Sequence, residues 1–354
     1  MSEYPNAPLK ISASANFQAL LAQQHISLLV STYQAGKLMI LRADQGKLNV
    51  HFRSFKKAMG LAANRTRLAV GTAFHIHELY NMPAVTSKLD PPNRHDACYI
   101  PRNSHVTGDI DIHEMGWAGD ELWFVNTRFS CLCTLDPAYS FSPRWRPPFV
   151  SAYAPEDRCH LNGFAIVDSR PKYISALGQS DRAQGWREHK ASGGLVMEID
   201  HSEVIAHGLS MPHSPRWYRD RLWILESGQG SLATIDLTHG QLETVAQCPG
   251  FTRGIDFAGP LAFIGLSQVR ESAVFSGLPL TERLDERTCG VWVVNIETGQ
   301  TLAHLKFESG VEEIFAVQVL SGIGFPEIMP EDETLVGKSY ALPPEALAEV
   351  EMRA

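Results

Sequence analysis

The sequence predicts an all-β fold, a six-bladed β-propeller closed by pairing of its N- and C-terminal segments in one blade, and three observations predict it. Five segments each end an apolar strand in a small-polar cluster: RTRLAVGTAF (65–74), DELWFVNTRF (120–129), KYISALGQS (172–180), RDRLWILESGQG (219–230) and LAFIGLSQVRES (261–272). Each follows a shorter apolar run opened by Gly or Pro, namely AMGLAA, EMGWAG, NGFAIV, SPRWY and RGIDFAG. The unit recurs about every fifty residues, the spacing of one four-stranded blade. The third observation is that the chain ends complement each other. Residues 25–55 supply three strands and lack a first, whereas VEEIFAVQVL (311–320) supplies a first strand with no blade after it. Joining them leaves no open sheet edge.

The strands of a unit follow in order. After the small-polar cluster comes a third strand ending in Asp or Asn, a Gly-containing turn and a fourth strand, clearest in SLATIDLTHGQLETVAQ (231–247) and GVWVVNIETGQTLAHLKF (290–307). A strand pair joined through such a turn reads as a hairpin. The remaining blades fall near 58–108, 109–159, 160–210, 211–250 and 251–310; the long stretch 79–108 leaves room for a seventh. One propeller domain over 25–320 is therefore expected, with an N-terminal extension (1–24) and a C-terminal extension (321–354). The latter, acidic and then briefly helical, is expected to pack outside the ring or against a second subunit, which leaves a homo-oligomer open.

Composition narrows the partners. A net charge of −8 over 354 residues argues against general nucleic-acid binding, which draws on basic surface. No run of eighteen apolar residues is present, and the N-terminus lacks the basic-then-apolar order of a signal peptide, so a cytoplasmic protein off the membrane is expected. Six cysteines without CxxC spacing read as reduced core thiols; Cys131 and Cys133 share a strand face, where the plain reading is again core.

Function is expected on one face of the ring, where the starts of the first strands and the loops between second and third strands meet. The strand starts bring His113, Glu114, His160, Asn162, His213, Arg253, Glu312 and Glu313. The loops bring His75, His77, Arg128, Gln179, Gln229, Gln268 and Arg270. Three histidines from three successive blades with a carboxylate opposite are the donor set of a divalent metal such as zinc, iron, copper or manganese. His113, His160, His213 and Glu312 are thus the metal candidates, and Glu313, Glu114 and Arg253 the catalytic ones. Arg128, Asn162, Gln179, Gln229, Gln268 and Arg270 suit a substrate bearing carboxylate or phosphate. Singly, each histidine reads more simply as a channel-lining group, whereas for the arginines structural ion pairs to Glu121 or Asp256 are an equal alternative. His75 and His77, two apart on a strand, form a separate pair. The loop over 179–194, carrying Trp186 and His189, and that over 267–290 are long enough to serve as lids or binding loops. Neither a Gly-rich phosphate loop, an HExxH motif nor a nucleophile elbow occurs.

The runs STYQAGKL (31–38), TGDIDIHEM (107–115), HLNGFA (160–165), MPHSPRW (211–217) and FTRGIDF (251–257) resemble those of an uncharacterised bacterial conserved-hypothetical family associated with tetratricopeptide-repeat proteins. The resemblance covers nearly the whole chain and implies a propeller without a reaction. More distantly, the layout is similar to gluconolactonase-type six-bladed propellers, which hold a divalent metal through Glu, Asn and Asp. That similarity implies matching types at Glu313 or Glu114 and at Asn162, from which the histidine richness departs; histidine-rich channels resemble instead propeller oxygenases that bind iron through four histidines on seven blades. The functional expectation is a metal-dependent hydrolase or oxygenase acting on a small anionic or peptide substrate at the channel mouth, or else a non-catalytic propeller binding a small molecule or peptide.

Overall fold

A computed structural model describes residues 8–269, 276–329 and 334–350. Among these residues the strands form six sheets, each with a core of four antiparallel strands. The first blade is composite: Ala316–Ser321 lies innermost and pairs with Ile26–Thr32, followed by Lys37–Asp44 and Lys47–Ser54. Register runs from Ile26 opposite Ser321 to Ser31 opposite Ala316, so the two ends of the chain share one ladder. The innermost strands of blades two to six are Leu61–Ala63, Ile112–Ala118, Leu161–Val167, Pro212–Tyr218 and Phe251–Ala258. The stretch that left room for a seventh blade instead holds the end of His75–Asn81 and all of Ala97–Val106, two long strands of blade two joined through a 3-10 turn over Pro83–Lys88.

The recurring small residues of the inner strands have a steric cause. Inner strands of neighbouring blades converge on the axis, and backbone approaches backbone. A Cβ at Gly163 would lie 2.5 Å from the Pro215 ring of the next blade. At Gly254, where φ is +76°, it would lie 2.7 Å from the Ala316 Cα. Both positions therefore exclude a side chain, and Gly254 also requires the left-handed backbone that glycine adopts without cost.

Hydrogen bonds join each blade to the next at one level. Ser31 Oγ donates to Met59 O at 2.5 Å, Thr127 Oγ1 to Leu161 O at 2.7 Å, Ser227 Oγ to Thr252 O at 2.5 Å and Ser267 Oγ to Ile314 O at 3.1 Å. Between blades four and five the donor is Asn162 Nδ2, 2.8 Å from Pro212 O. Between blades two and three it is the Gly60 amide, 3.2 Å from Ile112 O. The small-polar cluster that ends the second strands in the sequence is thus largely the row of interblade donors.

Described segments of both chain extensions lie on the ring. Lys10–Ala13 pairs with the outer strand Thr301–Ser309 of blade six, and the helix Phe17–Gln24 buries Phe17 and Leu21 against the composite blade. Pro326–Ile328 adds a parallel fifth strand to blade two. It is held by Glu327, which meets Arg53 at 2.7 Å, Arg42 at 3.8 Å, His51 at 3.5 Å and His95 at 3.6 Å. Among the described residues no helix is long and apolar enough to cross a membrane. The six cysteines are buried and free, and burial pushes the thiols of Cys98, Cys159 and Cys248 up to about 12.

Burial holds both His51 and His95 below the ordinary imidazole value, Glu327 opposes the shift, and Arg42, together with Arg53 at His51 and Arg94 at His95, reinforces it. Because the folded state binds these protons less readily than the unfolded chain, acid favours unfolding. Stability from these two groups is present above about pH 6.5 and is lost as pH falls below it. Thermal melts are expected to show a falling transition temperature from pH 7.5 to 5.5. The fall should shrink in the His51→Gln, His95→Gln double variant; an equal fall in both proteins would assign the pH dependence elsewhere.

Candidate functional site

The six carbonyls that accept the interblade bonds define a common register, and the residue after each forms a ring at the channel: Gly60, His113, Asn162, His213, Arg253 and Phe315. His113 and His213 are built alike. Each Nδ1 lies against the carbonyl two residues earlier (Asp111 O at 3.0 Å, Met211 O at 2.9 Å) and against the hydroxyl at the end of its own second strand (Thr127 and Ser227, both 2.9 Å). Burial depresses both imidazoles well below their ordinary range, with Arg253 and the neighbouring histidines adding to it. Both rings are neutral at pH 7.

His160 stands two positions before the ring residue of its own blade, Asn162. Its equivalents are Asp111 and Met211, and all three have left-handed backbone, with φ of 50°, 56° and 49°. The matching register expected for three histidines therefore holds for His113 and His213 only. His160 still reaches the same space: its ring centroid is 4.7 Å from that of His113, edge to face. Its Nδ1 donates to both oxygens of Asp157, at 2.9 and 3.0 Å, and its ring lies 4.5 Å from Trp186. Trp186 Nε1 donates to the same carboxylate at 3.0 Å, so Asp157 is located by a buried indole.

Arg253 lies over the Phe315 ring at 3.7 Å from its centroid. Phe315 in turn stacks on Tyr33 at 5.9 Å and takes His113 edge-on at 5.1 Å. Among the described residues no carboxylate forms an ion pair with Arg253 and no hydrogen bond satisfies its guanidinium. Burial makes its charge costly, partly offset by Glu313, Asp111 and Tyr33 nearby. Deeper in the channel, Glu114 of blade three meets Arg216 of blade five in a two-pronged ion pair at 3.0 and 2.9 Å. Burial alone would lower Arg216, but Glu114 outweighs it and holds the guanidinium charged.

The other expected residues divide. Glu114 is engaged by Arg216. Asn162 is engaged in structure: its Nδ2 spans blades four and five, and its Oδ1 accepts from Ser175 Oγ at 2.6 Å. Arg128 sits at the rim, paired with Asp109 at 2.7 Å. Glu313 accepts from Gln34 at 3.0 Å, and Glu312 takes the Gln268 amide on its carbonyl at 2.8 Å. The Gln229 carbonyl accepts from Arg283 at 2.8 Å. Arg270 lies outside the described residues. Gln179 lines a cavity of about 320 Å³ in the blade-four loop with Trp186 and His189. His75 and His77 lie 5.5 Å apart on blade two. Sequence reasoning missed Phe315, Tyr33, Asp157 and Arg216. Asp157 carried a faint signal, three residues before His160.

Described residues of the two long loops meet. Leu177, just before the first, and Trp186 within it share one apolar cluster with Val269, Leu278 and Leu280 from the second, joined by Met211 and Phe251. The second reaches the short loop of blade five, where the Leu280 amide donates to Gly228 O at 2.8 Å. The mouth thus has a built wall over blades four to six.

The histidines suit a metal in tautomer, since each Nδ1 is taken up and the Nε2 lone pair is left. They do not suit it in placement: among the described residues no three His, Cys, Asp or Glu side chains are set to hold one ion.

The family described as "Domain of unknown function (DUF4915)" matches residues 15–329. No curated protein matches the chain. Among solved structures, one in the nidogen/laminin complex is similar over 84% of this chain and 99% of its own, with 8% identity and a TM-score of 0.54. A protein of unknown function from Bacteroides caccae is similar over 83% and 98%, at 8% identity and a TM-score of 0.49. A catalytically inactive virginiamycin B lyase from Staphylococcus aureus, with quinupristin, is similar over 84% and 99%, at 12% identity and a TM-score of 0.40. The first of these shows the shared propeller fold; the other two bear no further weight.

Removing one partner of the channel ion pair leaves the other charge buried. Glu114→Gln is expected to destabilise the fold by about 3 kcal/mol in urea unfolding, and Glu114→Leu with Arg216→Met by less than that. A single variant as stable as the parent would show that the pair does not floor the channel.

Proposed function

We propose, for a chain that belongs to the DUF4915 family of unknown function, that the channel mouth binds a small carboxylate- or phosphate-bearing molecule on Arg253 and acts on it by acid–base chemistry. The observation that supports this reading is the cation itself. A largely buried guanidinium lying on an aromatic face, bordered by two neutral imidazoles and lacking an ion-pair partner among the described residues, is stabilised by an arriving anion.

His160 is the acid–base group. With Nδ1–H given to Asp157, its Nε2 carries the lone pair that takes a proton from the bound molecule or from a water beside it. Asp157 keeps that tautomer and stabilises the imidazolium once formed. The reaction class that fits is hydrolysis or proton transfer next to the anionic group. A cytoplasmic setting accords with six buried free thiols.

Calorimetric titration with propionate and with inorganic phosphate is expected to show binding that Arg253→Ala weakens at least about tenfold. His160→Ala should retain that binding. Retained affinity in the Arg253 variant would remove the anion reading. Turnover of a bound acid that persisted in the His160 variant would remove His160 from the acid–base role, and binding without turnover of any bound acid in the parent would leave a purely ligand-binding propeller.

A second reading, a metal-dependent hydrolase or oxygenase, is favoured by the three secured Nδ1 atoms, and it requires the donors to move closer together. Elemental analysis of untagged protein before and after mild chelation tests it. Near-stoichiometric zinc, iron, copper or manganese, absent from His160→Ala, is the supporting result; equal metal content in both proteins would defeat it.

A further inference from the structure

We infer that the molecule bound in the channel is a small hydroxylated acid, with its carboxylate on Arg253 and its hydroxyl groups donating to Nε2 of His113 and His213. This rests on the anion-binding reading and names its ligand class.

The proton positions on the two imidazoles follow from their surroundings. Thr127 donates its hydroxyl proton to Leu161 O, so toward His113 it accepts; Asp111 O also accepts. The proton between them therefore sits on His113 Nδ1. The same logic holds for His213, because Ser227 donates to Thr252 O and Met211 O accepts. A neutral imidazole protonated at Nδ1 presents a lone pair at Nε2. Among the described residues neither Nε2 makes a hydrogen bond, so the channel holds two directed acceptors beside one cation.

Those acceptors select by chemistry. A carbonyl, an ether or a second carboxylate brings no proton to donate. An ammonium group does, but Arg253, which already disfavours charge on both rings, repels it. A hydroxyl donates without charge. Flat apolar surface from Phe315 lies under the guanidinium and covers the carbon skeleton. Glu114 and Arg216 satisfy each other and offer no competing charge. Carboxylate and hydroxyl on neighbouring carbons thus match cation and acceptors together.

The test compares glycerate, propionate and alanine by calorimetry at pH 7.5 on the full chain. Glycerate is expected to bind about tenfold tighter than propionate, and alanine more weakly than either. In His113→Leu and His213→Leu the glycerate-to-propionate ratio should fall toward one. Equal affinities for the two acids in the parent protein would overturn this inference while the anion site stands; no binding of either acid would overturn both. Should the variants not fold, long-range nitrogen–proton NMR spectra of the parent decide. Nδ1-protonated rings whose Nε2 signals move with glycerate and not with propionate support the inference, and Nε2-protonated rings overturn it.

Discussion

A hydrogen bond from the end of one blade to the inner strand of the next carries the architecture of the channel. Sheets packed only by apolar side chains can slide, because burial has no direction. A buried hydroxyl that must find an acceptor cannot slide without leaving both groups unsatisfied, at a cost of about 1–3 kcal/mol each. Ser31, Thr127, Ser227 and Ser267 lock four junctions in this way, Asn162 a fifth and the Gly60 amide the sixth. The same lock fixes what faces the axis, since the residue after each acceptor carbonyl is brought to one level.

Two of these locks also set chemistry. Thr127 and Ser227 donate forward to the next blade and accept backward from a histidine, so a structural bond dictates the tautomer of His113 and of His213. The imidazoles then stay neutral because they are buried beside Arg253. One blade further round, Asn162 occupies the equivalent position and is consumed by the lock itself. The ring is therefore asymmetric: acceptors on blades three and five, a cation on blade six and an aromatic face on the composite blade.

Much of this was legible in the chain. Period, small inner-strand residues and complementary ends pointed to the six blades and to their closure. Gly or Pro at the strand starts marked the level of His113, His213 and Arg253. The register of His160 was not legible: His113 and His160 each stand three residues before a glycine, yet in blade four the ring residue is Asn162, one residue before it, and the strand irregularities behind that difference leave little trace in sequence. Nor was the pairing of Glu114 with Arg216, 102 residues apart, since it depends on which blades face each other across the axis.

By itself, then, the sequence determined the strand repeat, the closing of the ring and the polar residues delivered to its mouth, all consequences of local period and of close backbone approach. Only the tertiary structure decided which of those residues are free. Asn162 and Glu114 found partners within the protein, whereas Arg253 came to lie on Phe315 beside neutral rings. That outcome depends on burial and on distances between blades, and no local pattern encodes either.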